Sequence, residues 1–287
     1  MYDTDSNYKL DLDVVEGGPD INPIDRVLLG EVEFGVAGAE QIIQVNREGV
    51  KLVVVGVINH KSLACFISNK DKNISTVNDL SGVRIGTMEG TPVDMVYRII
   101  KAKYDIQPQD EIATNWTLDG FRLNQYDVYP AFINDEPITL EKQGIALNII
   151  RPENYDVNFM GTVYFCRKEL VDNCPEVVQN FVYAIADGWG KTIKNQSQAI
   201  EYLKKYVKEK NSNIDADKEI LSLEKGMDYY KGENNNILFA SKKTWDNMVD
   251  LMSGINEIVK TEFNYSEMID NRFVVEYIKR KNDKNVE

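Results

Sequence analysis

Short apolar segments of strand length alternate with helical patterns up to about residue 168, and this alternation constrains the fold more than any other feature of the sequence. The run 51–58 is almost wholly apolar and too short for a typical helix, as expected of a buried strand. Further strands are predicted at residues 10–15, 31–36, 62–68, 83–86 and 128–133. Strands that alternate with helices in this way predict an α/β fold with a mostly parallel sheet.

Proline and glycine mark where the intervening helices begin and end. Pro92 predicts a helix start, because the missing proline N–H needs no partner in a first turn. Gly30 lies just past a helical pattern and predicts its end. The helices of this part of the chain are predicted at 24–29, 39–47 and 92–103.

Beyond Cys174 the pattern becomes helical only, and no strand is expected after about residue 168. Helices are predicted at 175–192, 198–209, 216–227, 242–258 and 273–279. Amphipathic helices need a surface on which to bury their apolar stripes. We therefore expect this helical tail to pack back on the α/β part instead of forming a domain of its own.

Charge and hydropathy exclude two classes of partner. The chain carries 33 Lys and Arg against 46 Asp and Glu, a formal net charge of −13, and has no basic block of the kind that binds nucleic acid. Its apolar runs are far shorter than the roughly 20 residues of a membrane-spanning helix. The acidic first residues do not resemble a secretion signal, so the chain is either cytoplasmic or the mature or trimmed part of an exported protein.

Residues suited to metal binding and nucleophilic catalysis are scarce. His60 is the one histidine of the chain, which rules out sites built from several histidines and weakens any Ser-His-Asp triad. The three cysteines, Cys65, Cys166 and Cys174, are too few for a disulfide framework and are interpreted as small buried apolar residues. We therefore expect no catalytic residues, no cofactor and no metal site.

Five segments are similar, in the same order, to those of one protein family. They are residues 12–18 (an L-D-V strand), 28–38 (L-x-x-G-x-V-D-F-G), 79–86 (D-L-K-G-K-R-I-G), 134–137 (N-x-E-P) and 175–188 (a P-E-x-V helix). The ordered set resembles the type II periplasmic substrate-binding proteins of ABC transporters, in the nitrate, sulfonate and thiamine-precursor group.

The resemblance implies two lobes that close on a small molecule by a hinge motion. Residues 1–60 and 168–287 would form lobe one, and residues 61–167 would form lobe two. Family members begin with a further strand and helix before the segment 12–18, and the sequence shows no counterpart of them. We therefore expect the strand 10–15 to have an open edge that can pair with another chain.

Ligand-binding residues are expected where strand ends and helix starts face the cleft between the lobes. The turn Glu89-Gly90-Thr91 precedes a helix, so its N–H groups and the positive end of the helix dipole point into the cleft. In the related thiamine pyrimidine synthase the matching turn holds a cofactor phosphate. Gly38 and Ala39 open a helix in the same way. A plain helix start has the same sequence, so both interpretations stay open.

Polar and aromatic residues also follow strands of the second lobe. Trp116 lies after a strand end, where its indole either stacks on a heteroaromatic ring or fills the core. Asn134 and Glu136 follow the strand 128–133. The resemblance to thiamine-precursor binders implies that a carboxylate there accepts hydrogen bonds from an aminopyrimidine, and the alternative is a solvated loop acid.

Two further residues lie at the predicted crossovers between the lobes. His60 is placed at the first crossover and Tyr164 near the second, where a hinge position and a ligand contact are equally open. The tail tryptophans Trp189 and Trp245 lie among apolar neighbours and are interpreted as core.

An enzymatic alternative lacks the required residues at two positions. In thiamine pyrimidine synthases a lysine that binds pyridoxal phosphate and a histidine consumed in the reaction follow the F-G of the segment 28–38. Those positions here are Ala37 and Gln41, which cannot do that chemistry. The cysteine-rich cluster of the synthases would fall at residues 159–166, where Cys166 is the one cysteine. The resemblance therefore implies a binding protein and not an enzyme.

The predicted function is the capture of a small molecule for an ABC importer, with the permease as partner. The alternative is the ligand-sensing domain of a membrane-anchored histidine kinase. Acids outnumber cations among the candidate residues, which favours a neutral or weakly basic heterocycle such as an aminopyrimidine-type thiamine precursor. Either role places the chain on the periplasmic or extracellular face, as a free, lipid-anchored or tethered protein.

Overall fold

The computed structural model describes residues 8–18, 21–209, 215–232 and 236–284 of the chain. The strands in these ranges are β1 Phe34–Gly38, β2 Leu52–Val57, β3 Ala64–Asn69, β4 Arg84–Thr87, β5 Asp110–Ala113, β6 Tyr129–Phe132, β7 Leu147–Ile150 and β8 Thr162–Arg167. The helices among and before them are α1 Pro23–Leu29, α2 Ala39–Arg47, α3 Pro92–Lys103, α4 Asp119–Arg122 and α5 Glu136–Lys142. The helices of the tail are α6 Lys168–Asn173, α7 Pro175–Lys194, α8 Gln196–Glu209, α9 Ala216–Tyr230, α10 Lys242–Gly254, α11 Tyr265–Met268 and α12 Arg272–Lys284.

Helix ends follow the cap residues that the sequence indicates. Gly30 ends α1 in the left-handed conformation (φ 75°), which lets its N–H reach the carbonyls of Arg26 and Val27. Thr91 caps α3 and accepts the Asp94 N–H at 3.2 Å, with Pro92 in the first helical position. The predicted helices at 24–29, 39–47 and 92–103 are confirmed.

The sheet of the first lobe has the strand order β1-β8-β2, and both pairs are antiparallel. Phe34 lies opposite Cys166 on one side of β8, and Val53 lies opposite the same residue on the other side. The prediction of a mostly parallel sheet is wrong for this lobe. The reason is that β8 returns from the second lobe and enters between β1 and β2 in the opposite direction.

The sheet of the second lobe is mixed. Strands β4 and β5 are parallel, and a parallel bridge between Ile85 and Val128 joins β4 to β6. Strand β3 is antiparallel to both of its neighbours, β6 and β7. Apolar runs of strand length carry no information on direction, which depends on long-range pairing, so the parallel prediction holds only for part of this sheet. That part brings the carboxyl ends of β4, β5 and β6 to one edge.

The helical tail packs on the first lobe, as predicted, and also reaches the second. Phe181 of α7 stacks on Phe34 of β1, with ring centroids 3.7 Å apart. Helix α12 lies against α7 and contributes Phe273 to the same apolar cluster. Trp245 of α10 is fully buried in a second cluster that contains residues of both lobes, which confirms its interpretation as core.

Residues 10–15 do not form a strand, so that prediction is wrong. Leu10 and Leu12 pack against the apolar cluster of α7 and α12, while Val14 and Val15 remain about half exposed. The alternation of apolar and polar residues in this segment indicates which side chains face the core. A strand also needs a neighbouring strand to pair with its backbone, and the pattern does not show whether there is one. The open edge expected beside this segment belongs instead to β1, which in the described part of the sheet pairs on one side only, with β8.

Candidate functional site

The predicted residues of the second lobe emerge at one edge of its sheet. Because β4, β5 and β6 are joined in parallel, Glu89, Trp116 and Asn134 all follow strand ends that point the same way. Gly38 ends β1 in the first lobe, and β8, its antiparallel neighbour, begins beside it at Thr162. Such strand ends are where ligand sites are expected in α/β folds.

The turn after β4 is exposed and leads directly into α3. Gly90 has φ 77°, a conformation that favours glycine, and both Glu89 and Gly90 are exposed. The Thr91 hydroxyl donates to the Met88 carbonyl at 2.6 Å and accepts from Asp94, so it already has two partners. Glu89 lines a groove of about 820 Å³ between α3 and the end of α10.

Trp116 stacks on a ring that sequence reasoning missed. Its indole lies over Phe132 with ring centroids 5.5 Å apart and planes inclined by 14°. The indole is 41% exposed, so the stacked pair forms an aromatic platform at the ends of β5 and β6. The platform lines a groove of about 590 Å³ that also contains Asp119, Arg122 and Lys218. Glu89 and Trp116 therefore line different grooves.

Glu136 lies beneath this platform. Its side chain is 7% exposed, and one carboxylate oxygen accepts the Phe132 N–H at 2.8 Å. Burial raises the pKa of the Glu136 carboxyl above its usual range. The carboxylate thus fixes the strand end that carries Phe132, and it also lines the smaller groove.

Asn134 joins the second lobe to the tail. Its side-chain amide donates to the Ser222 hydroxyl of α9 at 3.1 Å and also bonds Tyr230 of the same helix. Around this contact three ion pairs connect α5 and its flanks to α9. They are Lys142 with Asp215, Lys218 with Asp135, and Lys225 with Glu141. Helix α9 therefore touches the second lobe, whereas its sequence position predicts membership of the first.

Gly38 and Ala39 have partners for their N–H groups within the protein. The Gly38 N–H donates to the Gln41 side chain at 2.9 Å, and the Ala39 N–H donates to the Gly161 carbonyl at 3.0 Å. The close approach predicted for these small residues is used here by the chain itself. The next residue, Glu40, is a buried carboxylate that sequence reasoning missed, because an acid in a first helical turn ordinarily lies in solvent.

The crossover residues pack against the tail. The His60 N–H donates to the Tyr229 carbonyl at 2.8 Å, and the His60 ring lies against Gly232, where an added Cβ would come within 2.4 Å of it. The Tyr164 hydroxyl accepts the Trp189 indole N–H at 3.1 Å, and burial raises the pKa of Tyr164. Both positions thus make structural contacts with the tail, and their role toward a ligand stays a prediction.

Two further features bear on function. Within the described residues, no group of three or more His, Cys, Asp or Glu side chains is placed to hold a metal ion. In the same ranges, no helix combines the length and the apolar character needed to cross a bilayer.

Two lobes of α/β structure, linked by two crossovers and covered by a helical tail, define the fold of the periplasmic binding proteins. The chain belongs to the family described as NMT1/THI5 like, which it matches over residues 7–199. The riboflavin-binding protein RibY of Chloroflexus aurantiacus is 22% identical over 185 residues, which are 62% of this chain and 52% of that protein. This chain therefore spans about half the length of that relative.

Solved structures share the fold at low sequence identity. The ligand-binding component of an ABC-type import system from Staphylococcus aureus, solved with zinc bound, has a TM-score of 0.65 and 11% identity, covering 88% of this chain and 84% of its own. The alkanesulfonate-binding protein SsuA of Xanthomonas axonopodis pv. citri, bound to MOPS, has a TM-score of 0.64 and 14% identity, covering 86% and 83%. The expected fold class is confirmed.

Proposed function

We propose that this chain is an extracytoplasmic solute-binding protein that captures a heterocyclic small molecule between its lobes and delivers it to an ABC permease. Family membership and the fold support a binding protein of this group. The residues at the two positions that carry synthase chemistry support binding without catalysis. Ala37 is a buried strand residue, and the Gln41 side chain caps α2.

The stacked pair of Trp116 and Phe132 is the observation that supports a heterocyclic ligand. A half-exposed indole backed by a second ring offers a flat, rigid face at the carboxyl ends of the strands. Aromatic pairs gain roughly 0.5–1.5 kcal/mol beyond the burial of apolar area. A ring-bearing ligand therefore suits this platform better than an aliphatic one.

The charges of the same groove support a neutral or weakly basic ring. Arg122 is paired with Asp119 at 3.3 Å and with Gln143 at 3.0 Å, and Lys218 is paired with Asp135. The two cations of the groove thus have partners already, so an anionic ligand would have to break these pairs to use them. An aminopyrimidine-type thiamine precursor and a flavin are the two ring systems that we propose as candidate ligands.

Delivery to a transporter is favoured over sensing by the relatives. The Staphylococcus aureus protein is described as a component of an import system, and none of the proteins compared above is described as a kinase. An import role places this chain on the outer side of the membrane, with a permease as its partner.

Ligand-induced thermal shifts test the proposal directly. The protein is melted with riboflavin, with 4-amino-5-hydroxymethyl-2-methylpyrimidine and with ethanesulfonate, each at several concentrations. A ligand that binds only the folded state raises Tm in proportion to the logarithm of its excess over Kd. We expect one of the two ring compounds to raise Tm and ethanesulfonate to leave it unchanged.

Small-angle scattering with the ring compound that binds then tests closure of the lobes. A smaller radius of gyration at saturation is expected for a hinge motion. A Tm shift with ethanesulfonate alone would contradict the heterocycle, and the absence of any shift with either ring compound would contradict the ligand class.

A further inference from the structure

Glu40 carries a buried carboxylate whose oxygens lack a hydrogen-bond partner in the part of the chain that the structure describes. The residue is 2% exposed, and neither of its oxygens has a hydrogen-bond partner of standard geometry among the described residues. Glu136, another buried acid, accepts the Phe132 N–H, and the half-buried Asp187 accepts the Tyr277 hydroxyl. A lone buried carboxylate is strongly unfavourable, because burial removes its hydration without replacement.

The position of this carboxylate is fixed by Gly38. A Cβ added at Gly38 would lie 2.1 Å from Glu40 Oε1, so the side chain folds back over the end of β1. Gly38 lies opposite Thr162, the first residue of β8, and the Thr162 hydroxyl donates to Asn59 at 2.6 Å. The carboxylate thus lies at the edge of the first lobe where both crossovers pass.

Glu40 does not serve as the cap of its helix. The Gly38 N–H, the donor that a capping side chain in this turn would satisfy, already donates to the Gln41 side chain. The helix dipole favours a carboxylate in the first turn, but the burial of this one has the larger effect and raises its pKa to about 7. Apart from a contact with its own backbone N–H, no hydrogen bond within the described structure accounts for a charge-bearing side chain at this position.

We propose that Glu40 is a specificity-determining binding residue, whose carboxylate accepts hydrogen bonds from an N–H donor of the ligand, such as a ring amino group or a protonated ring nitrogen. The inference rests on the proposed binding function and assigns the contact that the first lobe would make with the ligand. A bound N–H donor supplies the partner that the described residues do not and favours the ionised carboxylate. The ionised carboxylate would repel sulfonates and carboxylates.

The experiment compares Glu40→Gln with Glu48→Gln, a matched change at the exposed far end of the same helix. One measurement needs no ligand, namely Tm of each variant at pH 8 and at pH 5. Since the pKa of Glu40 is raised in the folded state, the wild type is destabilised as pH rises from the unfolded pKa towards 7. We expect Glu40→Gln to exceed the wild type in Tm at pH 8, the difference to be much smaller at pH 5, and Glu48→Gln to match the wild type at both.

The second measurement uses two matched probes in calorimetry, 4-amino-2-methylpyrimidine and 4-methoxy-2-methylpyrimidine. We expect the wild type to prefer the amino compound and Glu40→Gln to bind it about tenfold more weakly, while Glu48→Gln is unchanged. Equal affinity of Glu40→Gln and the wild type for the amino compound would overturn the assignment.

The two proposals fail in different ways. A Glu40→Gln variant no more stable than the wild type at pH 8 would overturn the role of Glu40, whichever ligand binds. Failure of both ring compounds used in the thermal-shift test and of both pyrimidine probes to bind the wild type would overturn the heterocycle proposal. A higher Tm of Glu40→Gln at pH 8 would still support an unpaired carboxylate awaiting an N–H donor.

Discussion

The carboxylate of Glu136 accepts the backbone N–H of Phe132 at 2.8 Å, and the ring of Phe132 in turn supports the indole of Trp116. A buried acid and an exposed aromatic residue are thereby coupled through one strand end. The two residues predicted separately as ligand contacts are parts of one local arrangement. The two residues still have different parts in it, since Trp116 supplies the exposed ring and Glu136 holds the strand end, so their substitutions are expected to have different effects.

Replacing Trp116 by alanine is expected to weaken binding of a ring ligand by about tenfold, because the stacking face is lost. Stability should fall by less than about 1 kcal/mol, since the indole is already 41% exposed. Calorimetry with the ring compound that binds measures the first effect, and urea unfolding measures the second. Trp116→Phe should retain most of the affinity, and a Trp116→Ala variant with wild-type affinity would show that the platform does not contact the ligand.

Replacing Glu136 by alanine is expected to lower stability by roughly 1–3 kcal/mol, because the Phe132 N–H loses its acceptor in a buried place. It should also weaken binding of the ring ligand more than Glu89→Ala does. Glu89 is exposed, so its alanine variant should match the wild type in stability within about 0.5 kcal/mol. Urea unfolding and calorimetry of both variants check these effects, and equal behaviour of the two would contradict them.

Ionisation of Glu136 is expected to lower the stability of the protein as pH rises. Burial raises the pKa of Glu136, so the ionised form is disfavoured in the folded state and stability decreases as pH rises above about 4.3, the usual pKa of a glutamate. Glu136→Gln removes the titration and keeps an acceptor for Phe132. The variant should therefore gain stability relative to the wild type between pH 4 and pH 8. A constant difference over this range in urea unfolding would show that the group is not desolvated.

The contact between Asn134 and Ser222 is expected to hold helix α9 on the second lobe. A double-mutant cycle of Asn134→Ala and Ser222→Ala should give a coupling energy of about 0.5–1.5 kcal/mol, as expected of one hydrogen bond. Thermal or urea unfolding of the four proteins measures it. Pairing Asn134→Ala with Ser197→Ala on α8 provides the control, for which no coupling is expected. Additive effects of Asn134→Ala and Ser222→Ala would show that this contact does not help to hold α9 on the second lobe.

Local sequence signals predicted the helices well. The direction of the strands, which they missed, depends on pairing between distant parts of the chain. Pro92 and Gly30 determine helix ends through their own backbone geometry, so the start of α3 and the end of α1 could be read from the sequence. The direction of β8 depends on partners more than 100 residues away along the chain, as Val53 opposite Cys166 shows, and no local pattern records it.

The candidate site was predictable in part for the same reason. Trp116 was found because it follows a strand end, but its partner Phe132 belongs to another strand. Glu40 was missed because its residue type and position resemble those of an ordinary surface acid, and its burial depends on tertiary packing that no local pattern records. Sequence patterns locate the strand ends, and tertiary packing determines which side chains there lack partners.

The carboxylate of Asp127 is expected to stabilise the second lobe in a pH-dependent way. It accepts hydrogen bonds from the Arg84 guanidinium and backbone at 3.0 Å and from Lys72 at 2.5 Å. These contacts, Arg84 first, hold the pKa of Asp127 well below its usual range. Asp127→Asn should therefore lower stability at pH 7 by roughly 1–3 kcal/mol. Asp119→Asn, which alters the exposed pair with Arg122, serves as the control and should change little.

The sign of the pH effect follows from the lowered pKa. The stabilisation by Asp127 is complete above about 3.9, the usual pKa of an aspartate, and is lost as pH falls towards the folded-state value. The stability gap between the wild type and Asp127→Asn should thus be constant from pH 7 to pH 5 and shrink by up to about 1.4 kcal/mol per pH unit below 3.9. Urea unfolding at a series of pH values measures the gap. A gap that stays constant down to pH 2.5 would show that the pKa of Asp127 is the same in the folded and unfolded states, and would contradict stabilisation of its charge by Arg84 and Lys72.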